Sequence, residues 1–284
     1  MRIMRKTFIP MVLCLFLIGG CANSGGDLQN GDVSTSQKNH QNLENTQENN
    51  SIPWKTETYF SSSSKQNLPY LILLPNQQGE NQTEQTSMAG TQSELANLKI
   101  HPVGLLIYMH GAGGGMEQGM SDTLYKGNFK KLKNLLAAQN FIYVTPSTTD
   151  FEKNGGNDLN DLAQELKKKY PGIPLYLAGA SAGGRTVYYA LQNGHNYFSG
   201  VVLLCPALSK DLIEHKEYDM PKIWFWIVQG DEDQSVSPEV TDLFASNLQH
   251  LGLSVVYKKI KGDHNAPVEE VDWKEALQFL WHAD

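Results

Sequence analysis

The sequence lacks the excess of basic side chains that a nucleic-acid partner would require. It has 23 Lys and Arg against 30 Asp and Glu, which gives a formal net charge of −7 over 284 residues. The basic clusters at 130–131 and 167–169 fall in segments with a helical pattern, where they form solvated faces. Because phosphate binding needs clustered Lys and Arg, we predict no nucleic-acid partner.

Metal-ligand spacings and nucleotide-binding motifs are missing too. No His-Glu-x-x-His or comparable ligand pattern occurs in the chain. A Gly-x-Gly-x-x-Gly motif that began at Gly111 or Gly113 would place Met116 or Gln118 at its last glycine, and no Gly-Lys-Ser/Thr sequence follows. We therefore predict no metal and no cofactor.

The apolar run at the N-terminus is too short to span a bilayer comfortably. Three basic residues precede this run, which extends from Phe8 to Ile18. Ile18 begins the sequence Ile-Gly-Gly-Cys, which ends at Cys21. The segment resembles a bacterial lipoprotein signal peptide; an ordinary secretory signal is the alternative. The resemblance implies that residues 1–20 are removed and that Cys21 is acylated. It also implies export and a lipid anchor in a bacterial membrane, at the cell surface or the periplasmic face.

Cysteine is scarce, which excludes a disulfide framework in the mature chain. Of the 3 cysteines, Cys14 would leave with the signal peptide and Cys21 would carry lipid. Cys205 would remain, in an apolar strand-like run where a lone cysteine is most often a small core residue. Behind Cys21, the polar composition of residues 21–50 predicts a disordered tether.

Residues 51–284 have the composition and patterning of one folded domain. Short apolar runs alternate with helical patterns from Leu68 to the C-terminus, as in a mostly parallel sheet covered by helices on both faces. We predict an α/β fold of this kind, with an exposed polar insertion at residues 76–98. In such sheets, ligands bind at the carboxyl ends of the strands, so motifs at those ends carry the function.

The sequence Gly-Ala-Ser-Ala-Gly at 179–183 lies where a strand turns into a helix. It matches the Gly-x-Ser-x-Gly pattern, in which a tight, strained turn points a serine hydroxyl out of the sheet. Small residues are needed around the serine because larger ones would collide with the neighbouring strand and helix. Ser181 is therefore the candidate nucleophile.

A serine nucleophile needs a base, and His264 is the best-placed histidine. Of the five histidines that follow Ser181, only His264 lies in a loop just past a predicted strand. The others fall in helical segments or at a helix end, and we expect them to be solvated or to cap helices: His195, His215, His250 and His282.

An acidic turn lies between the nucleophile and the base. The predicted strand that ends at Gly230 is followed by Asp231 and Asp233, and the chain order of serine, acid and histidine resembles that of the α/β-hydrolases. Within that resemblance, the Gly-Asp-x-Asp-x-x-Val spacing places the role of the acid on Asp233. Asp231 is the alternative, and Asp263 a weaker one because sequence neighbours of a histidine seldom face it.

Backbone N–H groups near the serine would form the oxyanion hole. Ala182 would supply one of them. The sequence His-Gly-Ala-Gly-Gly-Gly after the strand at 104–109 resembles an esterase oxyanion loop and would supply a second from Gly111 or Ala112. We expect His110 to orient this loop rather than to take part in the chemistry.

These motifs predict a serine hydrolase that cleaves carboxylic esters through an acyl-enzyme. The chain most resembles compact esterases of the feruloyl-esterase, polyhydroxybutyrate-depolymerase and predicted-peptidase type. A peptidase or amidase with the same residues and a non-catalytic surface module of the same fold are the alternatives. The segment at 209–222 is short and charged, so it predicts little or no lid. We expect short acyl or aryl esters, free or linked to a polymer, as substrates.

Overall fold

A computed structural model describes four stretches of the chain, which are residues 54–75, 101–193, 197–214 and 222–281. Three segments named above lie outside them, namely the signal peptide at 1–20, the tether at 21–50 and the insertion at 76–98. What is predicted for these segments stays a prediction.

In the described part of the chain, eight strands form one sheet. The strands are β1 (Lys55–Ser61), β2 (Gln66–Leu73), β3 (Gly104–Met109), β4 (Phe141–Pro146), β5 (Leu175–Ala180), β6 (Gly200–Leu204), β7 (Trp224–Gly230) and β8 (Ser254–Ile260). Their order in the sheet is β1-β2-β4-β3-β5-β6-β7-β8. The β1–β2 and β2–β4 pairs are antiparallel, and all other pairs are parallel.

Helices connect the parallel strands, and two more follow the last strand. They are α1 (Asn128–Ala138), α2 (Lys153–Lys169), α3 (Ala182–Asn193), α4 (Lys210–Glu214), α5 (Pro238–His250), α6 (Ala266–Glu270) and α7 (Trp273–Trp281). None of the helices in the described stretches has the length and apolar character needed to cross a bilayer.

The sheet is buried on both faces, which explains its continuous apolar strands. Successive side chains of a strand point to opposite faces. Leu105 and Ile107 of β3 accordingly join a core with α2, α3 and α5, whereas Leu106 and Tyr108 join a second core with α1 and α7. These two layers of helices exclude water from the sheet, so the polar chemistry is left to its edges and loops.

Two elements differ from their expected limits. β1 was not anticipated, because its residues alternate between exposed and buried in the manner of an edge strand and do not form an apolar run. Helix α2 begins at Lys153, four residues before the helical pattern of the sequence, which starts at Asn157, and it includes Gly155 and Gly156. The helix needs glycine there: a Cβ on Gly156 would lie 2.5 Å from the Tyr189 Cβ of α3.

The parallel strands bring several loops to one edge of the sheet. Because β3 to β8 run in the same direction, the loops after their carboxyl ends lie side by side. These loops include the turn at Ser181, the acidic turn after β7 and the His264 loop after β8. The residues singled out in the sequence therefore meet at this edge.

Candidate active site

Ser181 occupies a strained turn between β5 and α3. Its φ of 52° lies in the left-handed region, which residues other than glycine rarely adopt. Two backbone hydrogen bonds hold the turn. The Ser181 N–H donates to the Leu204 carbonyl at 2.9 Å, and the Ser181 carbonyl accepts from the Ala207 N–H at 2.8 Å.

The small residues around Ser181 are required by close approach of the backbone. A Cβ on Gly183 would lie 2.3 Å from the Met109 carbonyl oxygen, and one on Gly179 would lie 2.7 Å from the Gly183 carbonyl oxygen. Both distances are far inside van der Waals contact. Helix α3 therefore reaches the sheet only because these positions carry no side chain.

His264 bridges Ser181 and Asp233. Its Nε2 lies 2.9 Å from Ser181 Oγ, and its Nδ1 lies 2.7 Å from Asp233 Oδ2. A carboxylate can only accept, so Nδ1–H donates to Asp233, which leaves Nε2 of the neutral ring to accept from the serine hydroxyl. About a quarter of the imidazole is exposed, which leaves room for a substrate at its edge (25%).

Asp233 is a buried carboxylate in a cage of donors. Its Oδ1 accepts from the Ser235 and Val236 N–H groups at 2.8 and 2.9 Å. Burial by itself would raise the pKa of Asp233, but the hydrogen bonds from His264 and from these two N–H groups lower it below its ordinary value. Asp233 therefore stays charged, as a partner that orients an imidazolium must.

A buried amide, which the sequence analysis missed, holds the other oxygen of Asp233. Gln229 Nε2 donates to Asp233 Oδ2 at 3.0 Å, and Gln229 Oε1 accepts from Thr241 Oγ1 at 2.9 Å. Both Gln229 and Thr241 are fully buried. A polar residue inside the apolar run of β7 was the available signal, since a buried amide must find partners.

The other candidate acids and histidines lie elsewhere. Asp231 Oδ1 accepts from the Gly262 N–H at 2.9 Å, and Asp263 Oδ1 accepts from the Asn265 N–H at 2.9 Å. Both carboxylates therefore stabilise the backbone of the loop that carries His264. His250 is exposed at the end of α5. Three other histidines fall outside the described residues: His195, His215 and His282.

The glycine-rich loop after β3 runs beside Ser181. A Cβ on Gly111 would lie 3.3 Å from the Ser181 Cβ, which places the loop in contact with the serine. The Gly111 N–H already donates to Gln118 Oε1 at 3.3 Å. Ala182 begins α3, where the first N–H groups of a helix have no partner within the helix. This arrangement favours Ala112 over Gly111 as the donor that would accompany Ala182.

His110 is buried beneath this loop. Its Nδ1 lies 2.9 Å from the Gly111 carbonyl oxygen, and its Nε2 accepts from the Thr148 N–H at 3.4 Å. Burial lowers the pKa of His110, which favours the neutral ring that these two contacts require. The ring thus ties the glycine-rich loop to the loop after β4.

Cys205 lies just after β6, outside the strand in which the sequence placed it. It is buried, has a φ of 41°, and its Sγ lies 3.2 Å from the His264 carbonyl oxygen, to which the thiol donates. Donor atoms of Cys205, Asp233 and His264 lie within 4.8 Å of one another. Burial raises the pKa of Cys205 to about 12, and Asp233 and His264 are already paired, so this trio is poorly suited to bind a metal ion.

No family model matches the sequence, and no curated protein matches it at the level of sequence. Solved structures do match its fold. A ferulic acid esterase is similar with a TM-score of 0.58 and 15% identity, over 82% of this chain and 99% of that one. A serine hydrolase from Xanthomonas campestris, described as lacking a lid, is similar with a TM-score of 0.53 and 15% identity, over 81% and 93%.

A peptidase with this type of domain is also similar. A prolyl endopeptidase structure matches with a TM-score of 0.56 and 14% identity, over 81% of this chain and 38% of that one. Sequence identities this low show a similarity of fold alone. The predicted fold is confirmed: the chain has an α/β-hydrolase fold, with a mostly parallel sheet of eight strands and helices on both faces.

Proposed function

We propose that the chain is a serine hydrolase that cleaves carboxylic esters through an acyl-enzyme. The observation that carries this proposal is the hydrogen-bonded series from Ser181 through His264 to Asp233, set on a strained turn at the carboxyl edge of the sheet. Each contact is 2.9 Å or shorter, within the range needed for proton transfer. The esterases among the structures of similar fold support the same assignment.

In the proposed reaction, Ser181 Oγ attacks the ester carbonyl carbon while its proton passes to His264 Nε2. The resulting oxyanion is stabilised by the N–H groups of Ala182 and Ala112. Collapse of this intermediate breaks the bond to the leaving oxygen, which takes the proton from His264. Water then repeats the sequence on the acyl-enzyme, releases the carboxylic acid and returns the proton to Ser181.

A site without a large lid favours short acyl or aryl esters. The described part of the connection between β6 and β7 contains α4, a helix of only five residues with exposed charged side chains. Such a segment provides little apolar surface to cover a long acyl chain. The proposed substrates are therefore short acyl or aryl esters, free or linked to a polymer.

A peptidase or amidase is the second candidate function. The same three residues can cleave amides, and the fold is shared with a prolyl endopeptidase. Matched ester and amide substrates with the same acyl group distinguish the two: an esterase hydrolyses the ester far faster, and comparable turnover of the amide would favour the peptidase.

We also propose that Cys21 carries a lipid anchor. The apolar run that ends at this cysteine and the polar stretch behind it support the proposal. A single acyl chain binds membranes only marginally, so stable anchoring requires more than one chain on this residue.

Replacing Ser181 or His264 tests the proposed mechanism. We expect Ser181→Ala and His264→Ala each to lower kcat by about five to six orders of magnitude on a p-nitrophenyl ester, with a residual rate from the oxyanion hole. A fluorophosphonate probe should label the wild-type protein and not Ser181→Ala. Near-normal turnover by Ser181→Ala, or no labelling of the wild type, would contradict an enzyme with this nucleophile. The second result alone would favour a non-catalytic module.

The two acids of the turn after β7 give a matched comparison. Asp233→Asn should lower kcat by about 10⁴-fold, because an amide donor faces the imidazole and disfavours the required tautomer. Asp231→Asn changes only a contact to the Gly262 backbone and should lower kcat less than about tenfold. A larger loss in Asp231→Asn would reverse the assignment of the acid.

A series of p-nitrophenyl esters tests the substrate proposal. Each methylene buried in an apolar channel would be worth up to about 0.8 kcal/mol, or roughly fourfold in kcat/KM. We expect kcat/KM to be highest for short acyl groups and to show no increase at the micellar concentration. A steady climb to long chains with a jump at that concentration would indicate a true lipase.

Cell fractionation tests the anchor. The native protein should be found with the membranes of a bacterial host, and Cys21→Ser should be released from them or remain unprocessed. If Cys21→Ser fractionates and is processed as the native protein is, the anchor lies elsewhere in the chain.

A further inference from the structure

A polar depression lies beside the loop after β4, at the same edge of the sheet as Ser181. Its volume is about 340 Å³, at the lower end of the range of small-ligand pockets, which is about 300–1,000 Å³. The β1–β2 turn forms one wall, and the loop after β4 with the first turns of α2 forms the other. Leu68 is its one apolar lining residue in the described part of the chain.

Hydrogen bonds through His110 link the wall of the depression to the candidate active site. Thr148 lines the depression, and its N–H donates to His110 Nε2 at 3.4 Å. His110 in turn contacts the carbonyl of Gly111, the residue that lies against Ser181. The loop after β4 and the turn at Ser181 follow parallel strands that are separated only by β3, which puts a group held in the depression about 10 Å or more from the reacting ester along this edge of the sheet. It would belong to a remote part of the substrate.

The two walls are fixed in place by hydrogen bonds between them. Ser61 Oγ lies 2.5 Å from Asp158 Oδ1 and 3.0 Å from Asp161 Oδ2, so its one proton is shared between the two carboxylates and ties the end of β1 to α2. The Ser63 N–H also donates to Asp161 Oδ2, at 3.1 Å. Burial would raise the pKa of Asp161, but hydrogen bonds from Ser62, Ser61 and Ser63 lower it below its ordinary value, so this carboxylate stays charged. The depression is preformed, which reduces the entropy cost of binding.

The lining suits a neutral group with many hydroxyls. Gln66, Thr149 and Asn154 line the depression with exposed side chains that have no hydrogen-bond partner within the described residues. The Ser64 hydroxyl at the wall also lacks a partner there. Amides and hydroxyls both donate and accept, as a sugar hydroxyl does. A ligand of this kind satisfies several of these groups at once.

The charges of the lining argue against other ligand classes. Among the described residues, the side chains that line the depression include no Lys or Arg and two carboxylates, Asp150 and Asp158, so an anionic group would be repelled. Each carboxylate already accepts a hydrogen bond, Asp150 Oδ1 from the Glu152 N–H at 2.8 Å and Asp158 Oδ1 from Ser61. Both carboxylates thus help to hold the backbone and the walls of the depression.

We propose that this depression is a substrate subsite that binds a neutral, hydroxyl-rich group, such as a sugar unit, carried by the ester. The proposal rests on the proposed ester hydrolysis at Ser181 and names the substrate class of that site. Binding at a remote subsite raises kcat/KM for substrates that reach it and leaves small esters unaffected.

The test compares two acetate esters that differ in their hydroxyls. One is a methyl cellobioside acetylated at a primary hydroxyl, and the other is cyclohexylmethyl acetate. The variant is Thr149→Ala combined with Asn154→Ala, both at exposed positions. We expect it to lower kcat/KM for the cellobioside acetate by about tenfold or more, the loss of one or two hydrogen bonds, and to leave cyclohexylmethyl acetate unchanged within about twofold.

Asn134→Ala provides the matched control. Asn134 is an exposed asparagine on α1, which packs on the opposite face of the sheet, and its replacement should change neither kcat/KM. Thermal unfolding of both variants checks that the fold is intact. Equal losses on the two esters, or no loss on the cellobioside acetate, would overturn the subsite.

A binding measurement separates this proposal from the proposed function. Calorimetric titration of Ser181→Ala with the cellobioside acetate should show binding, which the added Thr149→Ala and Asn154→Ala changes should abolish. If the wild type hydrolyses neither ester while this pattern of binding is observed, the subsite stands and ester hydrolysis fails. If the wild type hydrolyses both esters and Ser181→Ala does not bind the cellobioside acetate, ester hydrolysis stands and the subsite fails.

Discussion

The whole site depends on the close approach of α3 to the sheet beneath Ser181. A backbone at φ of 52° costs about 1–3 kcal/mol at a residue other than glycine, so surrounding contacts must hold it there. Those contacts are the hydrogen bonds of Ser181 to Leu204 and Ala207 and the packing of Gly183 against the carbonyl of Met109. Any side chain at position 183 would push α3 from β3. The serine and the glycine-rich loop would then lose their relative placement.

The sheet also sets the distance between the candidate acid, Asp233, and the candidate base, His264. Asp233 follows β7 and His264 follows β8, and these are adjacent parallel strands whose backbones are about 4.8 Å apart. Side chains from the two loops therefore meet with little freedom to move apart. Gln229 and Thr241 add a buried brace, because the amide holds one oxygen of Asp233 while the hydroxyl holds the amide. The orientation of the imidazole is thus fixed by packing before any substrate binds.

Much of the fold was predictable because strands buried on both faces must be apolar throughout. β3 is buried throughout and has the limits that the sequence pattern indicated, Gly104–Met109, and the helix after Ser181 was expected. β1 was not predicted because it is an edge strand that carries charged side chains such as Lys55 and Glu57. Among the candidate residues, Ser181 and His264 stood out through their positions after strands. Gln229 did not: the apolar run around it signals a buried amide, but its partners, Asp233 and Thr241, are set by the tertiary structure.

The buried thiol of Cys205 shows how burial limits the chemistry of this centre. Cys205 lies beside two groups whose charge matters, Asp233 and His264, and donates to the His264 carbonyl. Burial and the nearby carboxylate raise its pKa to about 12, so the thiol remains neutral at physiological pH. A thiolate there would add a second negative charge next to Asp233 and would compete with the candidate nucleophile, Ser181. Because the environment keeps Cys205 protonated, the thiol acts as a weak donor that supports the His264 loop. Asp233 is then left as the negative charge that faces the imidazole.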